Sequence, residues 1–371
     1  MNMQFIDIKA IHARSSAEID AALAKVLEHG RYINGPEVNE LEVSLGTFLG
    51  SIGQPVSCTA VASGTMALEV TLRALGIGPG DEVITTPFTW ISTAETIALV
   101  GATPVFADIE ADTFNINPIE VKKAISQKTK AIIAVDLFGQ MADYSALEAI
   151  AEEHNLKIIE DAAQSFGAEQ NARKAGTVGH VATTSFFPAK PLGGYGDGGA
   201  IFTSDESLSE DIRAITNHGC KEREEHYLLG TNGRCDSLQA AIIHAKFPNF
   251  RDEEIRLRKK VGARYTQALK DHVSVPTTRS GNSHIYAQYT IRSKDRNSLA
   301  KALKSEGIPS AVYYRKPLHK QEVFSHLPTA KKSFPVAEEA AEQVISLPFH
   351  PYLRETDQNR IISAVLEHES A

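Results

Sequence analysis

Strand-like and helix-like segments alternate along this chain from about residue 55 to residue 204, and that alternation limits the fold more than any other feature of the sequence. Helical periodicity at 63–77, 89–101 and 143–155 is interleaved with short apolar runs at 82–87, 104–109, 130–137 and 157–161, and further strands follow at 181–187 and 199–204. These runs do not alternate apolar with polar residues, so both faces of each strand must be covered. A mostly parallel sheet with helices on both faces, an α/β fold, meets that requirement.

Two helices precede the sheet. Residues 16–30 read as a helix opened by a serine cap and closed by Gly30, and 31–50 contain a turn and a second amphipathic helix. Beyond residue 215 the pattern changes. Residues 236–270 read as two helical segments interrupted near Pro248, with the charge run 252–260 as a solvated face between domains. Strand-like 285–292, a helix at 295–307, strand-like 309–314 and a C-terminal helix at 354–368 complete a smaller α+β unit. With 371 residues the chain exceeds what one core organises, so the expected division is a large α/β domain over 1–245 and a smaller C-terminal domain over 246–371.

Charge and composition narrow the function classes. The formal net charge is -8 and the basic residues are dispersed among acids, which gives no footprint for a nucleic-acid backbone. Apolar runs such as 131–135 and 97–102 fall far short of the roughly 20 residues that cross a bilayer. The N-terminal stretch lacks a secretory h-region, and Cys58, Cys220 and Cys235 form no C-x-x-C or Cys/His cluster, so a cytoplasmic protein with free thiols is expected. The histidines show no metal-ligand spacing.

The polar residues that carry chemistry fall at strand ends. Glycines crowd 193–199, directly after SFFPAK at 185–190. Gly194, Gly196 and Gly199 satisfy G-x-G-x-x-G, but a strand follows where the dinucleotide fingerprint needs a helix. Either this is a tight turn, or the glycines let the backbone approach something bulky beside Lys190. Lys190 itself is either a surface lysine or a ligand group at the sheet edge where open α/β proteins bind. Asp161 ends the strand 157–161; it either caps the next turn or pairs with a ring nitrogen. Ser63, Gly64 and Thr65 open a helix, an ordinary start that is equally a phosphate site. Trp90, at another strand-to-helix junction, stacks on a planar ligand or fills a core.

SGTMAL at 63–68, GDEVITTPFTW at 80–90, EDAAQSFGA at 160–168, SFFPAKPLGGYGDGGA at 185–200 and GTNGRCDSLQAAI at 230–242 occur in an order and spacing that are specific. The chain thereby resembles the DegT/DnrJ/EryC1/StrS sugar aminotransferases, within the fold type I pyridoxal-phosphate enzymes, from QFIDIKA at 4–10 through PFHPYL at 348–353. The resemblance implies that Lys190 carries pyridoxal 5'-phosphate, that Asp161 faces its ring nitrogen and that Gln164 lies near its hydroxyl. It implies further that Trp90 stacks on the ring, that Gly64, Thr65 and Ser185 hold the phosphate, and that Asn232 reaches the phosphate from the neighbouring subunit of a homodimer with shared sites. L-glutamate is the implied amino donor and a nucleotide-linked keto-sugar the acceptor.

Within the family the chain is most similar to enzymes that aminate C3 of a UDP-linked 2-acetamido-3-oxo-glucuronate, which points to polysaccharide or lipopolysaccharide building blocks. Arg234 lies where those enzymes meet the substrate, and a guanidinium grips a carboxylate with two hydrogen bonds; otherwise it orients a loop through backbone carbonyls. Tyr313 and Tyr314 stand where those enzymes show His-Tyr, which leaves the position specificity open. His218, in the polar stretch 217–227, is a further candidate for the sugar site. The alternative activity is amination of a 4-keto or 3-keto 6-deoxy sugar on UDP or dTDP. A related dehydratase group has histidine in place of Lys190. A non-catalytic use of the fold would leave Lys190, Asp161 and Gln164 without purpose.

Overall fold

Strands and helices succeed one another as the apolar pattern requires. The computed structural model describes residues 3–50, 56–222 and 224–370. Its main sheet has seven strands: β1 (Ser57–Val61), β2 (Glu82–Thr85), β3 (Thr103–Phe106), β4 (Thr129–Val135), β5 (Lys157–Asp161), β6 (Val181–Ser185) and β7 (Gly199–Thr203). Their spatial order is β1-β7-β6-β5-β4-β2-β3, with only β7 antiparallel to its neighbours. The carboxyl ends of the other six strands therefore meet at one edge, where β7 begins.

The central strands show why an unalternating pattern is needed. Along β4, Ile132 and Ala134 enter one core with Ile158, whereas Ala131 and Ile133 enter another on the opposite face with Ile159. Each face is covered by helices, and the helices are α1 (Ile8–His12), α2 (Ser16–His29), α3 (Pro36–Leu49), α4 (Gly64–Ala74), α5 (Ser92–Leu99), α6 (Pro118–Ala124), α7 (Tyr144–His154) and α8 (Glu206–Thr216) in the first part of the chain. Gly30 closes α2 with φ 67, as its sequence position suggests, but Ser15 at the start makes no side-chain capping bond.

The second half departs from its sequence pattern in three places. α9 (Ser237–Asn249) and α10 (Ile255–Leu269) are not separated by a break at Pro248; a π-helical turn, Phe250–Glu254, joins them. That turn rotates two charges of the 252–260 run inward. Glu254 accepts from Asn249 Nδ2 at 3.0 Å and Tyr352 Oη at 3.1 Å, and Arg258 donates to the Tyr286 carbonyl at 3.2 Å, so the run is not a wholly solvated face. Only Tyr289–Arg292 of 285–292 forms a strand (β8), because Ile285 and Ala287 give their N–H groups to the carbonyls of Gly139 and Phe138. Residues 309–314 contribute a single bridge, Ala311 to Ser346. The partner of β8 is instead β9 (Val344–Leu347), packed with α10, α11 (Arg296–Ser305) and α13 (Glu355–Glu369) around Tyr265, Leu299 and Ile361; α12 (Pro335–Gln343) lies just before β9.

A buried carboxyl pair lies beneath the carboxyl edge. Asp136 follows β4, donates its N–H to the Asp161 carbonyl at 3.1 Å, and accepts from Ala142 N–H, the Tyr144 hydroxyl and the Ser165 hydroxyl. Glu160, on β5, accepts the N–H groups of Gly176 and Val178. Burial pushes both carboxyls above their ordinary range, Asp136 to about 7 and Glu160 well up, and they hydrogen-bond each other. The folded pair retains a proton that the unfolded chain releases near its ordinary carboxylate pKa. Its cost to stability is accordingly absent at low pH and grows as pH rises towards about 7. Asp136→Asn keeps the acceptor towards Tyr144 and removes one of the two acids. The melting temperature of the apoprotein variant should gain on that of the unaltered chain between pH 5 and pH 8 by about 2 °C or more, the size of roughly 1 kcal/mol in a large domain. A constant gap across that range would show that the pair shares no proton.

Candidate active site

Six loops leave the same sheet edge, and the one after β6 ends in Lys190. Its turn is held by the Lys190 N–H on the Phe187 carbonyl at 2.8 Å and the Gly194 N–H on the Phe186 carbonyl at 2.7 Å, while the buried Lys246 ammonium donates to the Gly193 carbonyl. The glycines here make room for a neighbouring helix: a Cβ on Gly194 would lie 2.8 Å from the side-chain amide of Gln239 on α9, and one on Gly196 would collide with the same amide. The bulky object beside this loop is therefore α9 itself.

Lys190 shares a cleft with Asp161. Part of the lysine side chain meets solvent, yet protein encloses its amine enough to lower the pKa, while the Asp161 charge opposes that fall. Asp161 shows the reciprocal balance. Burial raises its pKa, and the Lys190 charge, the Ala163 N–H at 3.2 Å and the Thr93 hydroxyl at 3.1 Å hold it down without fully cancelling the rise. Each group is the main counter-charge of the other.

The other end of the cleft is built from backbone. Ser63 caps α4 by accepting the Met66 N–H at 3.0 Å, so the first amides of that helix face the cleft mouth beside Gly64 and Thr65. A Cβ on Gly64 would lie 2.7 Å from Ser185 Cβ, and one on Gly199 would lie 2.6 Å from the Ser63 carbonyl group. Only glycine permits β6, β7 and the start of α4 to come so close. Thr65 Oγ1 and Ser92 Oγ are 2.8 Å apart. This end, with helix amides and three hydroxyls, suits a phosphate.

Aromatic and amide groups close the cleft. Trp90 is 61% exposed, which rules out a core-filling role, and its ring lies 6.4 Å from Tyr314. Gln164 Oε1 accepts the Phe138 N–H at 3.0 Å and its Nε2 approaches the Tyr314 hydroxyl at 3.5 Å. The space enclosed is about 410 Å³. An amine for an aldehyde, a buried carboxylate for a ring nitrogen, an aromatic face and an anion-binding helix start together fit pyridoxal 5'-phosphate.

The structure thus brings together Gly64, Thr65, Trp90, Asp161, Gln164, Ser185, Lys190, Tyr313 and Tyr314. It does not bring Asn232, Arg234 or His218 to that cleft. Asn232 bridges Asn217 through its backbone. Arg234 donates from Nη1 to Asn217 Oδ1 at 2.6 Å, keeps a buried Nε without a partner, and lines a second cleft of about 640 Å³ with Arg213 and Lys221. His218 is exposed, with φ 60 and its carbonyl accepting from His226 Nδ1. Part of the polar stretch 217–227 is paired: Cys220–Glu222 pairs with Glu225–His226, and Arg223 lies outside the described residues. Sequence reasoning missed Thr93, Ser92 and Gln288. The hydroxyl-rich run after Trp90 signals the first two; no motif marks Gln288.

Known proteins resemble this chain over nearly its whole length. Residues 13–366 match the DegT/DnrJ/EryC1/StrS aminotransferase family. The UDP-2-acetamido-2-deoxy-3-oxo-D-glucuronate aminotransferase of Pseudomonas aeruginosa is 48% identical over 98% of this chain and 99% of its own length. The crystal structure of a DegT DnrJ EryC1 StrS aminotransferase from Brucella abortus superposes with a TM-score of 0.96 at 44% identity, covering 100% of both chains. Bacillus subtilis NtdA with bound PMP cofactor gives a TM-score of 0.91 at 27% identity, over 100% of this chain and 86% of that one.

The facing of Lys190 and Asp161 is testable without turnover. Asp161→Asn removes the counter-charge that holds the lysine pKa up, so in the apoprotein Lys190 should deprotonate at lower pH. Labelling with trinitrobenzenesulfonate, read by peptide mass analysis across pH, should shift its Lys190 profile downward. An unmoved profile would separate the two groups.

Proposed function

The chain belongs to the DegT/DnrJ/EryC1/StrS aminotransferase family, and from that premise we propose that it moves an amino group from L-glutamate to the 3-keto group of a UDP-linked 2-acetamido-3-oxo-uronic acid. The observation that carries the reading is the 48% identity, over nearly the whole of both chains, to the P. aeruginosa aminotransferase acting on UDP-2-acetamido-2-deoxy-3-oxo-D-glucuronate. The Lys190 cleft supports it chemically.

When bound, pyridoxal 5'-phosphate supplies an aldehyde that takes up amines and an electron-poor ring that accepts the electrons left when a carbon–hydrogen bond breaks. Lys190 would hold the cofactor through its amine between turnovers. Its freed Nζ, with a pKa lowered by burial, then takes the proton from the glutamate α-carbon. Asp161 would keep a positive charge at the ring nitrogen, and its burial would strengthen that charge pair. Gly64, Thr65 and Ser185 would hold the phosphate, with Trp90 serving the ring and Gln164 its hydroxyl. The cofactor would carry the amino group from one substrate to the other: one water is taken up as glutamate leaves as 2-oxoglutarate, one water is released as the keto-sugar takes the nitrogen, and Lys190 delivers a proton to the sugar carbon.

Asn232, Arg234 and His218 act, in this reading, in the cleft of a second copy of the chain. Three features support a homodimer with shared sites. Arg234 retains an unpaired buried Nε beside a cleft that lacks Lys190. Tyr32, Ile33, Tyr227 and Leu229 are exposed, Leu229 at 90%. Ile33 bridges Asp236, two residues from Arg234, so part of that apolar surface adjoins the same cleft. In the partner's site Arg234 then grips the uronate carboxylate. One observation favours the second reading, a 6-deoxy keto-sugar: Tyr313 occupies the cleft where a histidine is the expected pattern.

Purified enzyme with glutamate should aminate the UDP-linked 3-oxo-uronate faster than 4-keto or 3-keto 6-deoxy sugars on UDP or dTDP; the reverse order would install the second reading. Sharing is tested by mixing Lys190→Ala and Arg234→Ala proteins, each nearly inactive on the uronate. Random exchange gives roughly a quarter of the wild-type sites intact, so activity should reappear. Verified exchange without recovery would contradict shared sites.

A further inference from the structure

The Lys190 cleft contains a polar atom that the chain leaves unsatisfied. Gln288 lines it together with Lys190, Tyr313 and Tyr314, and its Oε1 is buried with no hydrogen-bond partner. Several other polar groups there are engaged: Gln164 with Phe138 N–H, Asp161 with Thr93 and Ala163, Thr65 with Ser92. A buried acceptor left unpaired is costly, and such groups in a cleft call for an outside donor.

The backbone around Gln288 is fixed on both sides. Ala287 donates its N–H to the Phe138 carbonyl at 2.8 Å, and Tyr289 begins β8 opposite Leu347. Phe138 is also the residue whose N–H holds Gln164. Gln288 therefore faces the cleft from a rigid strand entry, on the side of Gln164 and Tyr314.

We propose that Gln288 is a specificity-determining residue of the sugar half-reaction, its carboxamide oxygen accepting a hydrogen bond from a hydroxyl or amide N–H of the keto-sugar. This rests on the reading that a nucleotide-linked keto-sugar is the acceptor. The cofactor's phosphate, ring nitrogen and hydroxyl already have assigned partners in Gly64, Thr65, Ser185, Asp161 and Gln164. Glutamate offers, apart from the amine that reacts, only carboxylate acceptors, which an acceptor oxygen repels. A 2-acetamido sugar offers both hydroxyls and an amide N–H. One side chain thus distinguishes the two substrates that must use the same cleft in turn.

The test uses the holoenzyme and follows the cofactor absorbance in each half-reaction separately. Gln288→Met keeps length and volume and removes the acceptor. Its rate constant at limiting sugar, with the UDP-linked 2-acetamido-3-oxo-uronate, should fall roughly tenfold, the loss of one neutral hydrogen bond. That loss should lie mainly in half-saturation, while conversion by glutamate stays within about twofold and the cofactor survives dialysis as before. Sugars lacking the acetamido group or single hydroxyls identify the donor: against the analogue without it, the unaltered enzyme and Gln288→Met should be equally slow. Equal losses in both half-reactions, easier loss of cofactor, or unchanged sugar kinetics would overturn the assignment while the function stands. If the unaltered enzyme converts no nucleotide-linked keto-sugar, the functional reading fails and the assignment with it.

Discussion

Lys190 and Asp161 place opposite charges in one enclosed cleft, and each shifts away from its ionised form through burial and back towards it through the other. Removing either leaves the other a buried charge without its counter-ion, a more expensive state than the pair. The same balance is useful chemically. A lysine with a lowered pKa becomes a neutral amine more readily, and a carboxylate beside it is ready to stabilise a positive ring nitrogen once a ring is present.

Topology makes the pairing possible. Asp161 closes β5 and Lys190 follows β6, its parallel neighbour, so both strands deliver their polar residue at one edge. The reversed strand β7 brings Gly199 against Ser63 and Gly64, which packs the start of α4 beside Ser185. Below this layer, Asp136 receives Ala142, Tyr144 and Ser165, and its own N–H holds the Asp161 carbonyl. The second half of the chain reaches the same place by backbone pairing of Ile285 and Ala287 with Gly139 and Phe138. Tyr313, Tyr314 and Gln288 enter the cleft from that half.

Residues at or just past the ends of buried strands were legible in the sequence, because an unalternating apolar run announces a buried strand and the polar residues that follow it must lie at the sheet edge. Lys190, Asp161 and the SGT helix start are of this kind. Segments whose state is set by distant partners were not. Residues 285–287 look like strand but spend their N–H groups on another loop, and 309–314 find only one bridge. Glu254 and Arg258 look solvated until the π-helical turn rotates them inward. Trp90 had two readings, and only its exposure separates them. Gln288 carries no local signal at all, since its meaning comes from an atom that lacks a partner in three dimensions.

The central claim is that Lys190, opposed by Asp161, is the point at which the cofactor joins the chain. Borohydride reduction of the holoenzyme, followed by proteolysis and mass analysis, fixes the attachment irreversibly and reads it directly. The account predicts a single pyridoxyl adduct, on the peptide that contains Lys190. An adduct on any other lysine, with Lys190 unmodified, would contradict it.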